Sequence, residues 1–348
     1  MSVDNRTPFP AIAFRQFNLA GQLLGVIAVR GTFQFSAAGP LAPAGKQLPL
    51  KLADIYDGDP HEGPLLTQGD LVPFKPATDV TFIGAAHSPD QVPRPSWTCR
   101  LRIGPVQKAL RVTGPRSWRA RRQGRAQVDW ELTAPQPVPY VPIDWRLAHG
   151  GLLPGHSGPD FDGRYRFNPL GRGIVDESRV RDGDEYPAPQ IEDPTQPFTT
   201  PHGEIEPQGF GPLSPWWRQR HQYAGSYTEE WLARRHPLLP EDFDFRFWQC
   251  AHPDLIVAPW LKGDEPFELE NLAYRYPLVR GWLPGLTMQV MLDQGRGPEV
   301  APLVLDGVHF DLRSGIARVT LTWRTGFPWP ERRGQPILEC FGPLAEAA

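Results

Sequence analysis

Histidine and aspartate residues are concentrated in one glycine-rich stretch, residues 148–163. They are His149, His156, Asp160 and Asp162. Imidazole and carboxylate groups bind zinc and exchange protons in hydrolases, so a metal-assisted hydrolase using His149, His156 and Asp160 is one hypothesis. Short polar side chains in loops rich in glycine and proline more often accept hydrogen bonds from their own backbone. The sequence therefore favours a structural loop and keeps the hydrolase as an alternative.

A short acidic run, residues 57–62, combines three acidic residues with a histidine. Carboxylate oxygens are the ligands that a hard cation such as Ca²⁺ prefers. The run lacks the remaining ligands of a calcium loop, so we predict a solvated turn there.

Three sequences approach enzyme motifs without completing them. Residues 155–158 have the wrong spacing for the nucleophile elbow of hydrolases, and Lys46 is not followed by the serine or threonine of a P-loop. Residues 171–173 supply two glycines of a dinucleotide fingerprint but not the third. We predict no catalytic residues, no metal and no cofactor, although residues scattered along the chain could still form a catalytic site.

Aromatic rings and arginines are interleaved between residues 210 and 248. Trp, Tyr and Arg are enriched in the energetic centres of protein interfaces. The rings could instead fill a core, and we expect both, with a minority exposed beside arginines. The cluster consists of Phe210, Trp216, Trp217, Tyr223, Tyr227, Trp231, Phe243, Phe245, Phe247 and Trp248, with Arg218, Arg220, Arg234, Arg235 and Arg246.

The segments before this cluster alternate apolar and polar residues with a period of two. This pattern predicts a half-buried antiparallel sheet, with Arg30 and Thr32 on the polar face of the first strand. The predicted strands cover residues 24–35, 81–85, 97–103, 108–112 and 128–133.

The chain after the cluster returns to strands. Residues 303–305 and 308–312 flank Asp306-Gly307, which is a strong signal for a type I′ hairpin. With a strand over 316–323 this predicts a three-stranded meander, and a further strand is predicted over 288–292.

The middle of the chain has little periodicity and many Pro, Gly and Asp residues. Its most polar part, residues 176–196, is predicted to be mobile. Residues 226–229 form a capping box that starts a short helix through Arg235, with Trp231 and Leu232 facing inward. Another turn or two of helix is predicted within 216–223.

These patterns predict a mainly β protein of antiparallel, sandwich-like sheets with a long irregular segment and a short helical insertion. The three regions are 1–135 (antiparallel β), 136–254 (loops and short helices) and 255–348 (β-meander). A single domain formed by the first and third regions is an alternative.

Composition excludes several classes of partner. The 348 residues carry a formal charge of −3, so no overall field attracts nucleic acid or an anionic membrane. The longest apolar run, residues 23–29, is too short to span a bilayer, and the N-terminus has no charged-then-apolar leader. The three cysteines are far apart in the sequence, so we predict that they are reduced, buried thiols. We therefore expect a cytoplasmic protein.

Seven segments occur in a distinctive order. They are NRTPFPA (5–11), PFKPATDVTFIG (73–84), AHGG (148–151), YRFNPLGRGIV (165–175), PQGFGPLSPWWRQR (207–220), AGSYTEEWLARR (224–235) and HPLLPEDFDFRFWQCAHPD (236–254). Together they resemble the domain-of-unknown-function family 2169, which is encoded beside bacterial type VI secretion spike genes. The resemblance extends from about residue 5 to Trp323.

The resemblance implies an adaptor or chaperone that loads toxic effectors onto the secretion spike, which consists of VgrG and its PAAR-domain tip. It implies no catalytic residues. The expected partner is an effector with a PAAR domain, the VgrG spike, or both, and no oligomeric state is predicted. A carbohydrate-binding β-sandwich with exposed tryptophan platforms is a further alternative.

The predicted binding surface is centred on residues 168–247. We expect Trp217→Ala or Arg220→Ala to weaken partner binding more than folding. The predicted partner-binding residues are Asn168, Pro169, Gly171, Gly173, Gly209, Phe210, Gly211, Trp216, Trp217, Arg218, Arg220, Trp231, Asp242 and Phe243.

Overall fold

The structure is a computed structural model that describes residues 3–36, 39–124, 127–151, 163–202, 205–293, 297–329 and 335–342. The prediction of a mainly β protein is confirmed. Within the described ranges, α-helix is limited to two short helices, and neither is long and apolar enough to cross a membrane.

The bounds of the elements follow in chain order. The first strands are β1 (Asp4–Asn5), β2 (Ala11–Phe17), β3 (Leu23–Gln34), β4 (Ala42–Pro43), β5 (Ile55–Tyr56), β6 (Leu65–Thr67), β7 (Thr78–Ile83), β8 (Ala85–His87), β9 (Ser96–Ile103), β10 (Val106–Thr113), β11 (Ser117–Gln123) and β12 (Gln127–Leu132). The later strands are β13 (Tyr140–Pro142), β14 (His149–Gly150), β15 (Arg172–Gly173), β16 (Glu185–Pro187), β17 (Ile191–Glu192), β18 (Ile256–Val257), β19 (Pro266–Ala273), β20 (Tyr276–Trp282), β21 (Thr287–Asp293), β22 (Pro298–Asp311), β23 (Arg318–Pro328) and β24 (Ile337–Phe341). The helices are α1 (Arg218–His221) and α2 (Glu229–Arg234), with 3₁₀ turns at Pro89–Gln91, Trp145–Leu147, Glu177–Arg179, Phe245–Trp248 and Pro253–Leu255.

A large sheet joins the two ends of the chain. Its main order is β1-β24-β21-β22-β23-β3-β2, with β7 and β18 attached through β22 and β4 attached to β3. β3 and β23 are antiparallel, with Phe33 opposite Val319, whereas β7 and β22 are parallel, with Thr81 opposite His309. Strands from regions 1–135 and 255–348 are therefore neighbours in this sheet.

A second sheet has the order β17-β10-β9-β19-β20 and packs on one face of the large sheet. The Phe267 ring of β19 lies 5.3 Å from the Phe310 ring of β22 and 6.1 Å from the Phe35 ring, which follows β3. One continuous cluster of buried apolar side chains spans both sheets. This packing produces the sandwich-like core.

The other face of the large sheet is covered as well. Arg30 and Thr32, predicted on an exposed polar face, are both buried. The Arg30 guanidinium donates two hydrogen bonds to the Asp70 carboxylate, at 2.9 and 3.0 Å. The prediction of one-sided burial is wrong for β3, because irregular chain around Asp70 lies over its polar face.

The hairpin predicted at Asp306-Gly307 is wrong. β22 runs straight through these residues, with only a shift of register between Leu305 and Gly307. Asp306 is buried and accepts a hydrogen bond from Arg324 Nε at 2.6 Å. A carboxylate paired across the sheet in this way stabilises an extended backbone where the local sequence favours a turn.

The polar segment 176–196 packs against the strands. β16 pairs with β11, and β17 pairs with the edge of β10. Glu192 is fully buried and accepts a hydrogen bond from Arg116 at 3.0 Å. Tertiary pairing therefore orders a stretch whose composition alone predicts mobility.

The helix predicted through Arg235 exists but is built differently. Thr228 caps α2 by accepting a hydrogen bond from the Trp231 N–H at 3.2 Å. Ser226, the predicted cap, instead donates its hydroxyl to Asp242 at 2.7 Å. Leu232, predicted to face inward, is 61% exposed.

Candidate functional site

Asn168, the first residue of the predicted surface, is completely buried. Its Nδ2 donates to the Trp145 carbonyl at 2.8 Å and to the His149 carbonyl at 3.0 Å. A side-chain amide used in this way satisfies two buried carbonyls that have left regular structure. Asn168 therefore connects two loops inside the protein and presents nothing to solvent.

The glycines around Asn168 permit two backbones to approach closely. β14 and β15 pair in parallel at His149 with Arg172 and at Gly150 with Gly173. A Cβ on Gly150 would lie 2.1 Å from the Asn168 carbonyl oxygen, closer than any real contact. Gly150 also has φ of +145°, which favours glycine. The glycine pattern of this segment therefore has a packing function.

A second glycine pair packs on the ring of Trp145. A Cβ on Gly209 would lie 2.8 Å from that indole, and one on Gly211 would lie 3.1 Å from its Nε1. The indole also packs nearly perpendicular to the Trp217 ring, with ring centroids 5.5 Å apart. Phe210 lies between the two glycines and contacts the Phe82 ring in β7. This motif docks the irregular segment onto the large sheet.

Arg220 is buried although it is charged. It is 2% exposed, and its guanidinium donates to the Leu213 carbonyl at 2.8 Å and to the Phe247 carbonyl at 2.9 Å. The same guanidinium lies over the Phe247 ring at 5.4 Å. Carbonyl dipoles and an aromatic face thus stabilise the charge, and no carboxylate of the described residues forms an ion pair with it.

Most of the predicted partner-binding residues are therefore inside the molecule. The buried ones are Asn168, Pro169, Gly173, Gly209, Phe210, Gly211, Trp217, Arg220 and Phe243. Gly171, Trp216 and Trp231 are half-buried, and Arg218 and Asp242 are exposed. The aromatic and arginine cluster is mainly a scaffold, with exposed members at its edges.

The helical insert, residues 225–239, is a largely exposed stretch of this region. The Tyr227 ring stacks edge-on against Trp231 at 4.7 Å, and Trp231 Nε1 donates to the Leu238 carbonyl at 2.9 Å. Despite this contact the Tyr227 side chain is more than half exposed, and so is Leu232 on α2. Asp242 closes the base of the insert by accepting from the Ser226 N–H and hydroxyl.

A cluster of buried charges lies where β7 meets residues 249–251, and sequence reasoning did not identify it. Lys75 and Asp79 pair at 2.6 Å, and Asp79 also accepts from the backbone N–H groups of Cys250 and Ala251. Burial alone would lower the pKa of Lys75, but the adjacent Asp79 carboxylate raises it overall. The signal was present in the segment 73–84, where lysine and aspartate are four residues apart.

These charges line a polar cavity of about 50 Å³. The ion pairs Arg30–Asp70, Lys75–Asp79 and Arg324–Asp306 contribute three positive and three negative groups to its wall. His309 completes the wall and contacts Thr81 at 2.9 Å, and burial lowers its pKa well below the ordinary value. A cavity of this volume with balanced charges can hold ordered water. The Arg30–Asp70 and Lys75–Asp79 pairs connect the large sheet to the irregular segments that line it.

His149, the first residue of the hydrolase alternative, is enclosed by rings. Tyr165 lies 5.2 Å and Phe198 lies 5.7 Å from its imidazole, and burial lowers its pKa to about 4. His156, Asp160 and Asp162 lie outside the described residues. Within the described ranges, no three His, Cys, Asp or Glu side chains are grouped closely enough to hold a metal ion.

The predicted solvated turn, residues 57–62, contributes to a cleft of about 240 Å³. Asp57 accepts a hydrogen bond from Arg146 at 2.8 Å, and Arg146 also binds Asp144 at 2.6 Å. Leu65, Ile83 and Trp145 are among the apolar residues that line the cleft. The Asp57 carboxylate is thus paired with an arginine.

Comparison with protein families assigns the chain. Residues 20–324 match a family described as "Uncharacterized protein conserved in bacteria (DUF2169)". The chain belongs to this family. The matched range extends from before β3 to the Asp306–Arg324 pair. Searches of curated proteins and of solved structures find no match.

Proposed function

We propose that this member of the family is a type VI secretion adaptor. It binds a PAAR-domain effector or the VgrG spike in the cytoplasm and assists effector loading. The order of the seven sequence segments supports the proposal, and so does membership of the bacterial family over residues 20–324. An adaptor of this kind requires a stable surface for a client and no reactive group.

The observation that carries the proposal is the helical insert. It exposes Tyr227, which precedes α2, and Leu232 on α2, and hydrogen bonds of Asp242 and of the Trp231 ring anchor it. Exposed apolar side chains beside charged ones are characteristic of protein contact sites. Arg234 and Glu230, paired at 3.0 Å, supply the charged rim.

Burial changes the expected behaviour of Trp217 and Arg220. Truncating a buried aromatic ring or a buried, hydrogen-bonded guanidinium lowers stability by several kcal/mol, typically about 3–5. Trp217→Ala and Arg220→Ala are therefore expected to impair folding first, which makes them unsuitable probes of the surface.

Co-purification from cells that express the neighbouring spike and effector genes tests the function. We expect the native chain to recover the PAAR-domain effector or the spike protein. Recovery of neither protein from cells that contain both would contradict the adaptor proposal.

A matched pair of variants tests the insert as the contact surface. Leu232→Lys changes a side chain that is 61% exposed on α2, and Leu52→Lys makes the same change at a site that is 65% exposed elsewhere. We expect Leu232→Lys to weaken client binding by about tenfold or more, as removal of an interface anchor does, while Leu52→Lys leaves it unchanged. If both variants bind the client with equal affinity and unfold at the same midpoint as the native chain, the insert is not the contact surface.

A further inference from the structure

β20 is the outermost strand of the five-stranded sheet, and the described residues give it one strand neighbour, β19, together with an isolated parallel bridge from Pro40 to Trp282 at one end of its outer edge. On the outer side, the Trp282 carbonyl accepts a hydrogen bond from the Leu41 N–H at 2.9 Å. Backbone groups of alternate residues in a strand point the same way, so those of Leu278 and Arg280 also face outward. In the described ranges no strand pairs with that part of the edge.

Proteins commonly block such edges with proline or with several charges. β20 contains Pro277, but this residue is one position out of phase with Leu278, so its nitrogen faces β19. A proline prevents pairing only on the side that its nitrogen faces. At Leu278 and Arg280 the outer edge of β20 therefore keeps the donors and acceptors that an additional strand requires.

One face of β20 is apolar and exposed. Tyr276, Leu278 and Trp282 alternate along the strand, and each has more than 40% of its surface in solvent. The opposite face meets the core at Gly281, where a Cβ would lie 2.6 Å from the Phe267 ring, while Val279 is half-buried and Pro277 is exposed. An exposed apolar row beside an open backbone edge favours the addition of a strand.

Arg280 interrupts this row and indicates the chemistry of the added strand. Its Nε donates to Glu268 of β19 at 2.9 Å, and its side chain is mostly exposed. Deeper in the sheet, Glu270 already pairs with Arg100 at 3.0 Å. A residue placed opposite Arg280 on the open side would lie about 5 Å away, where an acid attracts and a base repels.

A small cleft continues the edge beyond Tyr276, with a volume of about 90 Å³. Ser88 lines it, and the buried Ser88 hydroxyl oxygen has no hydrogen-bond partner among the described residues. Left-handed backbone at non-glycine residues is costly and concentrates at binding sites. In the described ranges all such residues line this cleft: Asp90, Gln91, Asn271 and Arg275.

We propose that the β20 edge binds an extended segment of the client polypeptide. The segment adds as a strand beside residues 276–280, places an acid opposite Arg280 and places apolar residues on either side of it. A small polar side chain at its end enters the cleft and bonds to Ser88. This inference rests on the proposed adaptor function, and charge favours a client over a second copy because β20 contains no acid.

Hydrogen exchange of the full chain tests the inference without the natural client. The probe is a nine-residue acetylated peptide that alternates valine with threonine and has glutamate in place of the central valine. Strand addition would slow exchange at the Leu278 and Arg280 amides by at least about tenfold, since an exposed edge amide becomes hydrogen-bonded. The same peptide with central lysine should give no protection.

Two variants make the result specific. Arg280→Glu should reverse the preference, so that the lysine peptide protects β20 and the glutamate peptide does not. Leu278→Lys changes a side chain that is 43% exposed and should abolish protection, whereas Phe17→Lys changes one that is 44% exposed on the outer strand β2 and should not.

Three results would overturn the inference. They are no protection at β20, equal protection by both peptides, and concentration-dependent protection without peptide, which would identify a second copy as the occupant. A failure to co-purify the effector or spike, with the peptide result intact, would overturn the adaptor function and leave the strand-binding edge in place.

Discussion

The polar side chains in this chain's most distinctive segments hold backbone in place. Asn168 binds two carbonyls, Arg220 binds two more, and Asp79 accepts two backbone N–H groups. Each loop so joined is irregular and cannot satisfy its own backbone. Loss of one such side chain leaves two buried backbone groups unpaired, and each of them costs about 1–3 kcal/mol.

The first prediction concerns His149 and acid stability. Burial holds its pKa at about 4 in the folded chain, so between pH 6.5 and 4 the unfolded chain takes up a proton that the folded chain does not. Stability therefore falls as the pH decreases through this window, by up to roughly 3 kcal/mol from this residue. Urea unfolding at pH 7, 5.5 and 4.5 measures the loss.

The control for this prediction separates His149 from the carboxylates, which also affect acid stability. His149→Phe keeps a ring between Tyr165 and Phe198 and should make the pH dependence shallower. His221→Phe, at an exposed position of α1, should leave the dependence as it is in the native chain. The same slope in the native chain and in His149→Phe would refute the assignment.

At the scale of elements, glycines let irregular segments lie flat on aromatic rings. Gly209→Ala would place a methyl group 2.8–3.0 Å from three atoms of the buried Trp145 indole. We expect it to lower the free energy of unfolding by about 1–3 kcal/mol, because the core has to shift to accept it.

Gly45→Ala is the matched control. A Cβ at Gly45 meets nothing within 4 Å, so the change should alter the free energy of unfolding by no more than about 0.5 kcal/mol. Both values come from urea unfolding at neutral pH. Equal effects of the two substitutions would show that close packing on Trp145 is not the reason for the glycine.

Several elements could be predicted because their signals are local. The strand predicted over 97–103 is Ser96–Ile103, and the helix predicted after residue 226 is Glu229–Arg234. Asp306-Gly307 misled because a hairpin signal is also local, whereas the Arg324 that keeps β22 extended is on another strand. The scaffold role of Trp217 and Arg220 was likewise hidden, since their neighbours in space are distant in sequence.

At the scale of the whole molecule, strands from both ends of the chain form the large sheet and the five-stranded sheet. β3 pairs with β23, β7 pairs with β22, and β9 pairs with β19. Cutting the chain between residues 254 and 255 removes a neighbour from each of these N-terminal strands. Fragment 1–254 alone should therefore not unfold cooperatively. We expect it to lose the whole free energy of unfolding, which is ~5–15 kcal/mol for a typical domain.

Near-UV circular dichroism of the tryptophans measures that prediction. Fragment 1–254 expressed alone should give a weak signal without a sharp thermal transition, and co-expression with fragment 255–348 should restore both. A sharp transition of fragment 1–254 by itself would show that region to be an independent domain.

The sequence by itself determined the mainly β class, the period-two strands and the ordered segments that resemble the family. These features depend on residue types a few positions apart, which act within one element. Only the tertiary structure decided which polar residues are buried and which aromatic side chains are exposed. Period-two alternation shows that one face of a strand is more polar than the other, but not whether the polar face is covered. The segment that covers the polar face of β3 lies around Asp70, 40 residues from Arg30. Contacts between residues distant in sequence also bury Trp217. No such contact covers Leu232 among the described residues, so its side chain is exposed, as is the face of β20 that contains Tyr276, Leu278 and Trp282.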